Sequence, residues 1–299
     1  MTRKVGNDTY FGCHMCGRCC NADPELEAFE VFKYSKNMIS SLYLTVEPVY
    51  NNKSKYGIPR QLATTKIPEN KIRKELQKAT FSRSGDGIIK IKEFGMWAVR
   101  LGGFSDEFVS GKQKRCSQLS ENNECIVHKN KPLVCRLVPA PATGSDILNH
   151  ALAKQFIKNH GCNDDNNREI IFTDGKPSKA IRGNTKKIFQ ARQETSEIAK
   201  VYFLNIAREF YAKCRKKGCE PSASDFRKLI FNNLKSRIPA NDPIVLSGLI
   251  EKGIITIEDF EKWFNSQPKI SKSSIRILEE IYGIQSGGIY RETSNLMEY

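Results

Sequence analysis

Apolar positions recur at helical spacing in some parts of this chain and alternate in others. Leu26 to Phe32 predicts a short helix, and Leu42 to Val49 a strand-like run. Lys53 to Pro68 is polar, and Gly57-Ile58-Pro59 and Ile67-Pro68 break any helix there. Glu69 to Ala79 predicts one further short helix. Gly85-Asp86-Gly87 is a turn signal ahead of the alternating run Ile88 to Phe94. Met96 to Leu101 then reads as a second strand, which predicts a hairpin or small sheet. From Ser145 to Asn159, Ile147, Leu148, Ala151, Leu152 and Phe156 fall at three- and four-residue steps, with Gly161 as a helix stop. Glu169 to Phe172 followed by Asp174-Gly175 looks like a strand ending in a turn.

Beyond Gly183 the pattern becomes helical. Ile188, Ala191, Ile198, Tyr202, Ile206 and Phe210 mark one long face, closed by Gly218 and Pro221. Ser222-x-x-Asp225 resembles a capping box before Phe226 to Leu234. Thr256-x-x-Asp259 does the same before Phe260 to Phe264. Ser271 to Tyr282 predicts a last helix, and Ser286 to Tyr299 has no strong pattern. There is no internal repeat. The expected fold class is α+β: a loop-rich cysteine-cluster domain with a few short strands over 1–183, followed by an all-helical C-terminal region over 184–299.

The 299 residues are enough to bury a sizeable core, and 39% hydrophobic with 27% charged residues is ordinary for a soluble domain. No stretch approaches the roughly 20 apolar residues of a membrane helix, and Met1 to Tyr10 lacks the apolar run of a secretory signal. A cytoplasmic protein with no membrane association is expected. The net charge of +15 favours polyanionic partners, nucleic acid among them. No recognition motif accompanies the charge, so a solvated basic surface is the simpler reading. A protein partner is expected, of a kind the sequence leaves unknown.

The ten cysteines change the picture most. In a reducing compartment, clustered cysteines point to metal or redox chemistry rather than structural disulfides. Four lie in Phe11-Gly12-Cys13-His14-Met15-Cys16-Gly17-Arg18-Cys19-Cys20. Two-residue spacing lets successive thiolates turn back onto one centre, and Gly12 and Gly17 permit the backbone angles this needs. The first three positions match the ferredoxin run C-x2-C-x2-C-x3-C-P, but the fourth is missing. Cys19 and Cys20 are adjacent, so their side chains diverge, and remote cysteines have to complete the site. Cys116, Cys125, Cys135 and Cys162 supply them. The candidate metal ligands are therefore Cys13, Cys16, Cys19, Cys20, Cys116, Cys125, Cys135 and Cys162. Thiolate donors without carboxylate partners fit an iron–sulfur cluster, such as 4Fe-4S, or zinc, and argue against magnesium and calcium.

Arg18, Lys114, Arg115, Lys131 and Arg136 stand beside these cysteines in sequence and offset the charge of a thiolate centre. His14 and His128 are read as packing or hydrogen-bonding residues, and His150 and His160 as ordinary surface or core residues with no role assigned. Cys214 and Cys219 are read as thiols outside the site.

These residues resemble the CxxCxxCC cysteine-cluster family, zinc- or iron-chelating domains often described as iron–sulfur proteins. Cys13, Cys16, Gly17, Cys19 and Cys20 match its first element, Cys116, Cys125, Pro132, Cys135 and Arg136 its second, and Cys162 its third. Lys131 stands where arginine is usual, and Val138 where an aromatic residue is common before Pro139. The resemblance implies metal binding. It also brings in the flagellin lysine-N-methylases, so a protein lysine methyltransferase is an alternative. Gly102-Gly103 and Gly85-Asp86-Gly87 are weak evidence for the methyl-donor pocket this needs. A zinc-stapled nucleic-acid or ribosome-associated adaptor is a further alternative, and no catalytic residue is assigned.

Overall fold

The computed structural model describes residues 8–13, 17, 19–20, 23–38, 40–49, 60–82, 86–91, 95–105, 115–142, 145–160, 169–220, 222, 224–226, 228 and 237–266. The expected helix over Ser271 to Tyr282, the tail from Ser286, the breaker Gly57-Ile58-Pro59, Gly161 and most of Phe226 to Leu234 lie outside them. Along the chain the elements are β1 (Thr9–Tyr10), β2 (Leu26–Glu27), α1 (Ala28–Lys33), β3 (Ser41–Pro48), α2 (Arg60–Ala63), α3 (Glu69–Ser82), β4 (Gly87–Ile91), β5 (Gly95–Phe104), α4 (Leu133–Leu137), α5 (Asp146–Asn159), β6 (Ile170–Thr173), β7 (Lys176–Pro177), α6 (Lys179–Lys216), β8 (Arg237–Pro239), α7 (Pro243–Glu251) and α8 (Ile257–Ser266). The class is α+β.

The larger sheet is antiparallel and has β5 at its centre. β3 lies on one side of β5 and carries β8 on its outer edge; β2 and β4 pair with the two ends of the other side. The expected hairpin is β4–β5. Its register sets Ile89 opposite Trp97, while β3 sets Leu44 opposite Leu101 and Val46 opposite Val99. All six are buried, and they form the face on which the helices pack.

That face is covered by α1, α6, α7 and α8. Ile198, Ala199, Tyr202, Phe203 and Ala207 supply the α6 stripe, and Trp97 lies 6.3 Å from Phe203, ring to ring. α1 comes close because β5 has glycine beneath it: a Cβ on Gly103 would lie 2.2 Å from Val31 Cγ2. Gly102 and Gly103 are thus interior strand residues, Gly103 under a helix and Gly102 against Leu26 O of β2, and Gly87 is the first residue of β4.

A smaller antiparallel sheet, β1-β6-β7, builds a second core with α4, α5 and the start of α6. Phe11, Leu133, Leu137, Ala153, Phe172, Ile181 and Ile188 meet there. α6 therefore serves both cores, Ile181 and Ile188 in one and Ile198 to Ala207 in the other. It begins at Lys179 behind the N-cap Ser178 and runs through Gly183. Gly183 has no atom within 4 Å of where its Cβ would be, so an exposed helical glycine costs only about 1 kcal/mol there.

Two further differences from the sequence reading have physical reasons. Leu26 and Glu27 pair with β5 before the helix starts. The C-terminal part is not wholly helical: β8 extends the sheet by pairing with β3. The capping box at Thr256 is present, with Asp259 N–H donating to Thr256 Oγ1 at 3.0 Å and Thr256 N–H to Asp259 Oδ2 at 3.1 Å. Among the described residues no helix is long and apolar enough to cross a membrane.

Candidate metal centre

The first cysteine segment leaves the small sheet at Phe11, whose N–H donates to Glu169 O at 3.0 Å while its ring enters the second core. It turns at Gly17, where φ is +71°, and Cys20 N–H closes the turn on Gly17 O at 3.0 Å. A side chain at this position meets a second obstacle, because a Cβ would stand 3.0 Å from Asn123 Cβ. Asn123, itself at φ 64°, belongs to the second cysteine segment, so the two segments touch here.

The second segment folds back on itself. Leu119 and Cys125 form an antiparallel bridge, Ile126 N–H donates to Gln118 O at 3.0 Å, and Ser120 N–H to Glu124 O at 2.9 Å. Arg115 Nη2 donates to Ser120 O and to Asn123 Oδ1. Two contacts then dock this loop on the first segment. Cys116 N–H donates to Cys20 O at 2.8 Å, and Asp23 Oδ1 accepts from Ser117 N–H at 2.7 Å and Ser117 Oγ at 2.8 Å. A single helical turn, His128–Asn130, leads to Pro132 and α4, which carries Cys135.

α1 supports α4 from below. Glu30, 2% exposed, accepts from Leu133 N–H through Oε1 at 2.9 Å and from Glu27 N–H through Oε2 at 3.1 Å. Tyr34 donates its hydroxyl to Asn130 O at 2.6 Å. Arg136 Nε donates to Lys131 O at 2.7 Å.

The thiols brought together in this way perturb one another. Burial pushes the Cys135 thiol up to about 12, and the charges of Cys116, Cys125 and Glu30 push in the same direction against Lys131. Burial likewise raises Cys116 to about 11, with Asp23 and Cys125 contributing. A hydrogen bond with Cys20 raises Cys19 and lowers Cys20, and Cys20 also feels Cys116, Cys135 and Cys125. Five predicted ligands, Cys19, Cys20, Cys116, Cys125 and Cys135, thus share one electrostatic neighbourhood. Cys13 is exposed. Cys16, Cys162, His14, Arg18 and Lys114 lie outside the described residues. Among the described residues no three Cys, His, Asp or Glu side chains already stand in coordination geometry.

The family model CxxCxxCC, described as "Putative zinc- or iron-chelating domain", matches residues 12–163, just over half of the chain. The chain belongs to the CxxCxxCC family. No curated protein and no solved structure matches it.

Within this CxxCxxCC domain the donor set is chemically suited to zinc or iron, being made of soft thiol groups. Two histidines of the domain have other partners: His150 Nε2 is 3.0 Å from Thr9 Oγ1, and His160 Nδ1 is 3.0 Å from Phe156 O. Sequence reasoning missed Asp23, Glu30, Tyr34 and Asn123, which position the loops. Each acts on a partner 94 or more residues away, as Asp23 on Ser117, and local pattern carries no signal of that.

Proposed function

We propose that the chain holds an iron–sulfur cluster, with zinc as the competing occupant, and serves in electron transfer or metal handling. Both cysteine segments contribute ligands, drawn from Cys13, Cys16, Cys19, Cys20, Cys116, Cys125, Cys135 and Cys162. The observation that carries this reading is the bond from Cys116 N–H to Cys20 O, which sets the two segments side by side. The ferredoxin-like spacing of Cys13, Cys16 and Cys19 favours iron–sulfur over zinc. A bound cluster would supply one-electron chemistry. The protein's part is to hold the thiols: Asp23 ties Ser117 and hence Cys116 to the first segment, and Glu30 fixes the start of the helix that carries Cys135. Lys131 offers positive charge to Cys19 and Cys135.

The test is purification without oxygen, followed by visible absorption and assay of iron, acid-labile sulfide and zinc. Iron with sulfide, lost together in Cys116→Ser and in Cys135→Ser, is the expected result. Stoichiometric zinc in a colourless protein would overturn the cluster. Metal-free protein with its cysteines paired as disulfides would overturn the metal centre itself.

A further inference from the structure

Two cysteines lie outside the matched domain and outside the proposed centre. Cys214 is in the last turn of α6, and Cys219 follows it. The helix ends in a paired-bond cap: Cys219 N–H donates to Cys214 O at 3.0 Å, and Gly218 N–H to Arg215 O at 3.0 Å, with Gly218 at φ +66°. This is the Schellman arrangement, which brings the side chains of its first and last residues into contact, ordinarily as an apolar pair. Here both positions are cysteine. The Cys219 thiol donates to Cys214 O at 3.2 Å. Cys219 is exposed and Cys214 partly so, and Lys213, Arg215, Lys216 and Lys217 surround them in sequence.

We propose that Cys214 and Cys219 form a redox-active dithiol that closes to an intrachain disulfide by exchange with a low-molecular-weight disulfide. Two sulfurs on residues already joined by a backbone hydrogen bond need little chain movement to bond. Cys219, the more exposed, attacks first as its thiolate. It bonds one sulfur of the small disulfide and releases the other as a thiolate. Cys214, deprotonated, then attacks the Cys219 sulfur, closes the bond and releases the second small thiolate. The two cysteines lose two protons and two electrons; the small disulfide gains both and leaves as two thiols. The cations around the pair draw in an anionic disulfide such as oxidised glutathione.

The experiment exposes the full-length, metal-loaded protein to oxidised glutathione, quenches with an alkylating agent and maps peptides by mass. The expected product is a Cys214–Cys219 link, lighter by two hydrogens and protected from alkylation. In Cys214→Ser, glutathione stays trapped on Cys219. Gly218→Ala slows closure roughly five- to thirtyfold, the penalty for a side chain in the left-handed region. The proposal is overturned if both cysteines stay free, if the unaltered chain stops at the mixed disulfide, or if Gly218→Ala closes at the original rate. A fall in bound metal in Cys214→Ser would overturn it as well, by assigning the pair to the metal centre.

Discussion

At the scale of single residues, the ion pair between Glu27 of β2 and Arg192 of α6 shows what burial costs. Arg192 Nε lies 3.2 Å from Glu27 Oε1, and both side chains are less than 9% exposed. Burial raises the Glu27 carboxyl from 4.5 to about 7, against the opposing pull of Arg192. The folded chain thus holds this proton more tightly than the unfolded chain does. Glu27's contribution to the unfolding free energy therefore falls as pH rises between those two values. Arg192→Leu leaves the carboxylate buried without a counter-charge. We expect the loss to be larger above the Glu27 pKa than below it, by at most about 1.4 kcal/mol for each pH unit above that pKa, because the stranded carboxylate can take up a proton instead of staying charged. Urea unfolding at about pH 5 and about pH 8 checks this; an equal loss at both would contradict it. Neither partner was legible in the sequence, since 165 positions separate them.

At the scale of elements, what could be read depended on length and period. The β4–β5 hairpin, α5 and the face of α6 each repeat their pattern long enough to be unambiguous. β1, β2, β7 and β8 have only two or three residues each, and they exist because longer strands offer them a free edge. α7 did carry a signal that was overlooked: Asp242 caps it and Pro243 opens it. The cysteine segments were legible as candidate ligands from spacing alone. Their support was not, because the short helix α1 reads as plain core until Glu30 is seen holding Leu133. Glu30→Ala strands that N–H and frees α4 to shift. The expected outcome is a 10- to 100-fold weaker grip on metal in a protein whose far-ultraviolet dichroism is unchanged. Competition with a coloured chelator measures it, and an unaltered affinity would remove Glu30 from the supporting role.

At the scale of the whole molecule, the larger core mixes distant parts of the chain. Leu26, Val31 and Trp97 pack with Phe203, Leu246 and Trp263. Trp263 of α8 is fully buried, lies 5.1 Å from the Phe32 ring of α1 and donates Nε1–H to Ser40 O at 3.0 Å. Trp263→Ala should destabilise by about 3–5 kcal/mol, seen as a lower thermal midpoint. A loss below about 1 kcal/mol would mean that α8 contributes little to the fold. Because α6 is built into both cores, neither core can come apart without disturbing that helix. Metal held by the candidate ligands should raise the midpoint of one shared transition. Chelation should then lower that midpoint as a single step, by calorimetry and by tryptophan fluorescence alike. Two separated steps would show the cores to be independent. With one shared transition, a cell short of metal would hold more unfolded chain and degrade it faster, making the abundance of this protein a record of metal supply.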